Sequence, residues 1–162
     1  MSSANKYATM VPISWEQLQC DCRSLAQQLL QEKPFKGICA IARGGLVPAA
    51  ILAREMNIHL IDTLCISSYD WKTQGDPGVL KGVAHDGRGW LLIDDLVDTG
   101  KTAEIVRKMM PQAYFATVYA KPAGRPLVDT CITEFAQDAW VLFPWDSAIQ
   151  FTPPLVKISE SE

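Results

Sequence analysis

A chain of 162 residues, 48% apolar and 20% charged, has the size of one ordinary domain and can bury a two- or three-layer core. Its net charge of −3 and pI near 5.4 supply no broad basic surface, and it contains no run of five like charges, so partnership with nucleic acid is disfavoured. No apolar run is long enough for a transmembrane segment, and the start MSSANKYATM lacks the charged and apolar regions of a signal peptide, which together predict a cytoplasmic protein.

Along the chain, helix and strand signals alternate. Ser14 and Gln17 form a capping box, and Trp15, Leu18, Cys22, Leu25 and Leu29 recur at three and four residues, predicting a helix to about Gln31, before Pro34. Gly37 to Ala42 reads as a strand, Leu46 to Met56 as a helix with Pro48 in its tolerant first turn, and Ile58 to Ser67 as a strand. Gly75, Pro77, Gly78 and Gly82 predict a mobile connection over residues 68–89. Trp90 to Ile93 reads as a buried parallel strand, followed by a loop from Leu96 to Gly100 and a helix from Lys101 (Ala103, Val106, Arg107, Met110). Ala113 to Ala120 is a further strand and Lys121 to Pro126 a Pro/Gly loop. Thr130 to Phe135 and Trp140 to Phe143 are expected to form a small separate strand pair, and Ser159 to Glu162 to fray. The alternation implies an α/β fold, a mainly parallel sheet flanked by helices, as a single domain over residues 1–162.

The five cysteines are odd in number and scattered, with no C-x-x-C pair and only two histidines to complete a zinc shell. They are expected to pack as small buried hydrophobes in a reducing compartment, and neither His59 nor His85 is given a catalytic role.

The chemistry concentrates in Trp90 to Thr102, WLLIDDLVDTGKT. Asp94 and Asp95 fall at the carboxyl end of the strand, where open α/β sheets bind ligands. The backbone N–H groups from Asp98 to Thr102, at a helix start, suit an anion, and the hydroxyls of Thr99 and Thr102 suit a phosphate. The two acids can accept from a diol or hold a hard cation. A ribose 5-phosphate uses all of these groups at once. A Walker-type phosphate loop needs Gly five residues before the Gly-Lys-Thr, where Asp95 stands, so a nucleoside triphosphatase fails on spacing. A merely solvated acidic loop would leave Asp94, Asp95 and Asp98 repelling one another at the end of a buried strand.

An apolar strand, two acids, a short loop and Asp-Thr-Gly-x-Thr resemble the fingerprint of the type I phosphoribosyltransferases. Four further segments, CAIARGGLVPAAILARE (Cys39 to Glu55), CISSYD (Cys65 to Asp70), AKPAGRPLVD (Ala120 to Asp129) and DAWVLFPWD (Asp138 to Asp146), are similar in order and spacing to the bacterial xanthine-guanine branch of that family. The resemblance covers about residues 13 to 155 and implies transfer of a 5-phosphoribosyl group from phosphoribosyl pyrophosphate to N9 of guanine or xanthine, and less well of hypoxanthine, with release of pyrophosphate.

The resemblance also implies a set of roles. Asp94 and Asp95 hold the ribose hydroxyls, and Asp95 shares Mg²⁺ with the substrate. Leu96, Val97, Asp98, Thr99, Gly100, Lys101 and Thr102 form the sugar-phosphate turn, with Asp98 facing purine N7 as the catalytic acid/base. Arg43 and Gly44 meet the pyrophosphate, beside a peptide that is often cis in the family. Lys121 donates to the purine 6-oxygen, Trp140 stacks on the base, and the Val141 carbonyl accepts from a 2-amino group, within a base-recognition segment at about residues 121–146. Ser68 and Tyr69 begin a hood over about residues 68–89 that closes on the substrate.

Two positions depart from the branch. Gly75 stands where relatives carry a hood arginine, leaving Lys72 or Lys81 to replace it, and Lys101 stands where the branch usually has Gly and the hypoxanthine branch often Lys. The alternatives are a hypoxanthine-guanine phosphoribosyltransferase, favoured by Lys101, and a regulator of the same fold that binds nucleic acid, opposed by the acidic charge and Asp98. The family further implies a homotetramer and, for bacterial members, peripheral contact with the inner membrane.

Overall fold

The computed structural model describes residues 9–32, 34–67 and 78–146. Its elements are β1 (Thr9–Pro12), α1 (Trp15–Leu29), β2 (Gly37–Ala42), α2 (Leu46–Glu55), β3 (Ile61–Ile66), β4 (Val79–Lys81), β5 (Trp90–Val97), α3 (Lys101–Met109), β6 (Tyr114–Ala120), β7 (Thr133–Glu134) and β8 (Ala139–Leu142), with 3₁₀ turns at Arg125–Leu127 and Pro144–Asp146.

Six strands form one sheet in the order β4-β3-β2-β5-β6-β7. All neighbours run parallel except β3 and β4. The side chains of β5 alternate between its two faces, and each face has its own helices. Leu91 and Ile93 join Leu18, Cys22, Leu25 and Leu29 of α1 and Ala49 and Leu52 of α2. Trp90 and Leu92 join Ala103 and Val106 of α3 with Phe115 of β6. Near-continuous apolar strands are what a sheet covered on both faces requires. α1 starts where expected, because the Ser14 side chain accepts from the Gln17 N–H.

The connections fix where a ligand belongs. From β2 the chain crosses through α2 to β3 on one side, and later returns through β5 on the other side of β2 and on to β6. The reversal lies between β2 and β5, and the crevice outside their carboxyl ends is the general ligand site of open α/β sheets.

Several expected boundaries are corrected. β5 runs on through Asp94 and Asp95 to Val97, because Leu96 and Val97 still pair with Tyr119 and Ala120 of β6, so the loop shrinks to residues 98–100. β3 begins at Ile61 rather than Ile58, whose N–H bonds back to the Ala53 carbonyl and so completes the end of α2. The expected connection over 68–89 contains β4, an antiparallel edge strand on β3, while residues 68–77 lie outside the described ones. The late strands do not pair with each other: β7 extends the main sheet from β6, and β8 pairs in parallel with β1, a strand the sequence pattern did not announce. Residues 159–162 also lie outside the described ones.

The expectation for cysteines holds for Cys22 and Cys39, whose burial pushes each thiol up to about 12, whereas Cys20 is exposed and Cys65 and Cys131 are half-buried. His85 is a packing residue, stacked on Trp90 at 4.3 Å. No helix among the described residues is long and apolar enough to cross a membrane.

Candidate active site

At the end of β5 the two acids diverge. Asp94 lines a cavity of about 140 Å³ with Leu96, Val97, Asp98, Thr99, Gly100, Lys101 and Thr102, floored by Ala103 and Phe115. Asp95 points the other way, toward the turn after β2: a Cβ added to Gly44 would stand 2.5 Å from Asp95 Oδ1. One strand thus serves two loops, because neighbouring residues of a strand face opposite sides.

Each acid folds back on the next peptide. The Asp95 N–H donates to Asp94 Oδ1 at 2.9 Å, and the Leu96 N–H donates to Asp95 Oδ1 at 2.6 Å. Burial, and then the neighbouring Asp95 charge, push the Asp94 carboxyl well above the ordinary range. Burial raises the Asp95 carboxyl to about 6, partly offset by hydrogen bonds from Asp94 and Leu96. A pair held in this state gains from anything that offsets its charge, whether a polyol donor or a divalent cation. Mg²⁺ keeps several waters and takes only one or two protein carboxylates together with substrate phosphates, so this donor set fits it.

The turn from Asp98 to Gly100 follows. Gly100, at φ 89°, stands in the left-handed region, and an added Cβ there would also meet Leu127 at 2.6 Å. α3 begins at Lys101, so the turn before it leads directly into a helix N-terminus, the end of a helix that favours an anion. The second loop, Arg43 to Gly45, leaves β2 through a cis peptide between Ala42 and Arg43, as the resemblance implied. Arg43 is exposed beside it. Gly45 is packed so closely that a Cβ would overlap the Ile93 carbonyl oxygen of β5, which fastens this loop to the acid-bearing strand.

At the end of β6, Lys121 is 2% exposed, and its Nζ donates to Asp98 Oδ2 at 3.0 Å. The Lys121 N–H donates to the Val97 carbonyl at 2.9 Å, so strand pairing carries this lysine to Asp98. Gly124 closes the contact, since a Cβ there would overlap Val97 and stand 2.8 Å from the Asp98 carbonyl oxygen. Trp140 is 37% exposed on β8 between buried Ala139 and Val141, so it lies on the open face of that strand rather than in the core.

Asp98 has a second partner that the sequence did not single out, Gln137, whose Nε2 donates to Asp98 Oδ1 at 2.9 Å. An isolated Gln in a polar stretch carries no signal of its own. Thr117, fully buried opposite Asp94 with an unpartnered hydroxyl, was likewise unmarked. Ser68, Tyr69, Lys72 and Gly75 lie outside the described residues. Lys81 bonds to Asp62 at 2.8 Å and to Thr63, both on β3, so replacing the hood arginine would require it to leave that pair.

Residues 14–152 match the model of the phosphoribosyl transferase domain. The chain is 62% identical over 157 residues to a xanthine-guanine phosphoribosyltransferase of Nitratidesulfovibrio vulgaris (strain DP4), covering 96% of each. A protein of the same name from Chromohalobacter salexigens is 56% identical over 154 residues, 95% of this chain and 94% of its own. Among solved structures, a purine phosphoribosyltransferase from Pyrococcus horikoshii superposes with a TM-score of 0.73 at 25% identity, over 91% of this chain and 99% of that one.

Proposed function

The chain belongs to the phosphoribosyltransferase family, and from that premise we propose that it is a purine-salvage enzyme converting guanine and xanthine, with phosphoribosyl pyrophosphate, to GMP and XMP. The observation that carries this reading is the meeting of the Asp94–Thr102 turn, the Arg43–Gly45 loop and Lys121 at one sheet crevice.

Cleavage of the C1–O bond leaves an oxocarbenium-like ribose and a highly charged pyrophosphate. Asp94 and Asp95 accept from the ribose hydroxyls and so fix C1 relative to the incoming base. The amides of residues 98–102, with Thr99 and Thr102, hold the 5-phosphate, and Arg43 and Gly44 meet the leaving pyrophosphate. Asp95, together with substrate oxygens, would hold Mg²⁺, which would supply positive charge against the developing charge of the leaving pyrophosphate. Asp98 bonds to purine N7 and takes up the proton as N9 attacks. Lys121 donates to the 6-oxygen, which rejects adenine, whose amino group would leave this buried donor unpaired. Trp140 stacks on the base, the Val141 carbonyl receives a 2-amino group, and Ser68 and Tyr69 belong to the closing hood. The homotetramer of the family completes the reading.

A purine-panel assay tests it. With Mg²⁺ and phosphoribosyl pyrophosphate, guanine and xanthine are expected to release pyrophosphate faster than hypoxanthine, and adenine at background; chelation with EDTA should abolish turnover. Lys101 favours the rival hypoxanthine-guanine enzyme, and hypoxanthine turning over fastest would decide for it.

A further inference from the structure

Gln137 lies in the exposed stretch between β7 and β8, yet both ends of its amide are engaged. Its Nε2 donates to Asp98 Oδ1 at 2.9 Å, and its Oε1 accepts from the Ala123 N–H at 2.9 Å. Ala123 belongs to the loop that carries Lys121: the N–H groups of Gly124 and Arg125 both donate to the Lys121 carbonyl, at 3.1 and 2.9 Å. The side chain therefore links Asp98 to the loop that follows Lys121 and ties both to the approach to β8, where Trp140 stands.

The position needs a side chain that both donates and accepts, which an amide provides from separate atoms. A peptide N–H needs an acceptor and an ionised carboxylate needs a donor, so Lys or Arg fails at Ala123 and Glu or Asp fails at Asp98. Asp98 is held by both oxygens, Oδ1 by Gln137 and Oδ2 by Lys121. If Lys121 turns to a purine 6-oxygen, Oδ2 is released to the base while Oδ1 stays fixed.

We propose that Gln137 is a positioning residue of the transfer reaction, clamping Asp98 by one oxygen so that the other is presented to the purine. This rests on the phosphoribosyl transfer proposed above. Gln137→Met keeps the length of the side chain and removes both hydrogen bonds. It is expected to lower kcat about tenfold, with KM for phosphoribosyl pyrophosphate changed less than about twofold, because only base-side geometry is disturbed. In a double-mutant cycle, Gln137→Met added to Asp98→Asn should cause no further loss, since the residue acts through the carboxylate. Gln137→Glu retains the acceptor for Ala123 but sets a second carboxylate against Asp98, and should lower kcat at least as far. It carries the test if the Met variant fails to fold. Full kcat in either variant, or an equal loss with and without Asp98, would overturn the proposal. A wild-type protein that forms no nucleotide from any base would instead overturn the reaction, which separates the two failures.

Discussion

Asp95 shows how the burial of one carboxyl works against stability. Its folded carboxyl is raised to about 6 from an ordinary value of 3.8, mainly by burial, so the folded state prefers the neutral acid. The stabilising contribution of the protonated form is fully present below about pH 4 and is lost as pH rises through about 6. At pH 7.5 the metal-free protein holds this acid ionised against its environment. Asp95→Asn keeps an acceptor for the Leu96 N–H and carries no charge. In EDTA at pH 7.5 it is expected to raise stability by on the order of 1–3 kcal/mol, while turnover is lost. The gain should shrink toward pH 5 and vanish near pH 4. Thermal melts of both proteins across that range check it, and a variant less stable than wild type at pH 7.5 would contradict the account. This conflict was legible in the residues, because two adjacent acids closing an apolar strand are improbable without a ligand. The partner Gln137 was not, because its role depends on a loop meeting Asp98 from 39 residues away in sequence.

Elements set the precision with which the two loops meet, and the turn after β2 offers a separation of effects. Gly44 and Gly45 are adjacent, yet an added methyl meets different obstacles. At Gly44 it meets the Asp95 side chain, which can turn aside; at Gly45 it meets backbone, the Ile93 and Ile41 carbonyl oxygens. Gly44→Ala is therefore expected to cost at least about tenfold in kcat/KM with little change in Tm, through a displaced acid. Gly45→Ala should destabilise the fold by at least about 2 kcal/mol, since neither strand can yield without breaking its ladder. Melts and steady-state rates on both variants decide, and equal melting temperatures would show that the β2 and β5 backbones are more yielding than this packing implies. Strands and helices with strong periodicity were legible from the sequence. β1 and β4 were not, because they are short, exposed strands whose existence depends on a partner: β1 forms because β8 lies beside it in register, Met10 opposite Trp140. The same dependence explains why the late segments were paired with each other, since strand pairing between distant segments leaves no local pattern.

At the scale of the whole molecule, the sheet order places the Asp94–Thr102 turn at the end of a central strand and Trp140 on a separate two-stranded sheet, β1 with β8, whose approach is tied to the turn by the Gln137–Asp98 hydrogen bond. The class of fold and the central site followed from alternation and from one motif, because a parallel sheet buries its strands on both faces and concentrates polar residues at their ends. Assembly is where the surface speaks. β4 closes one edge of the main sheet with all three residues exposed, Leu80 at 74% and Val79 at 48%, and Leu60 and Ile61 at the start of β3 are 53% and 48% exposed. An exposed apolar edge strand is a pairing hazard that proteins ordinarily cover or charge. The proposed homotetramer would cover it. Light scattering at micromolar concentration is expected to give four times the 17.9 kDa chain mass, and Leu80→Lys to reduce that mass by weakening contact at the edge. A monomer in wild type would remove the tetramer from the proposed function, whereas a tetramer indifferent to Leu80→Lys would place the interface on another face.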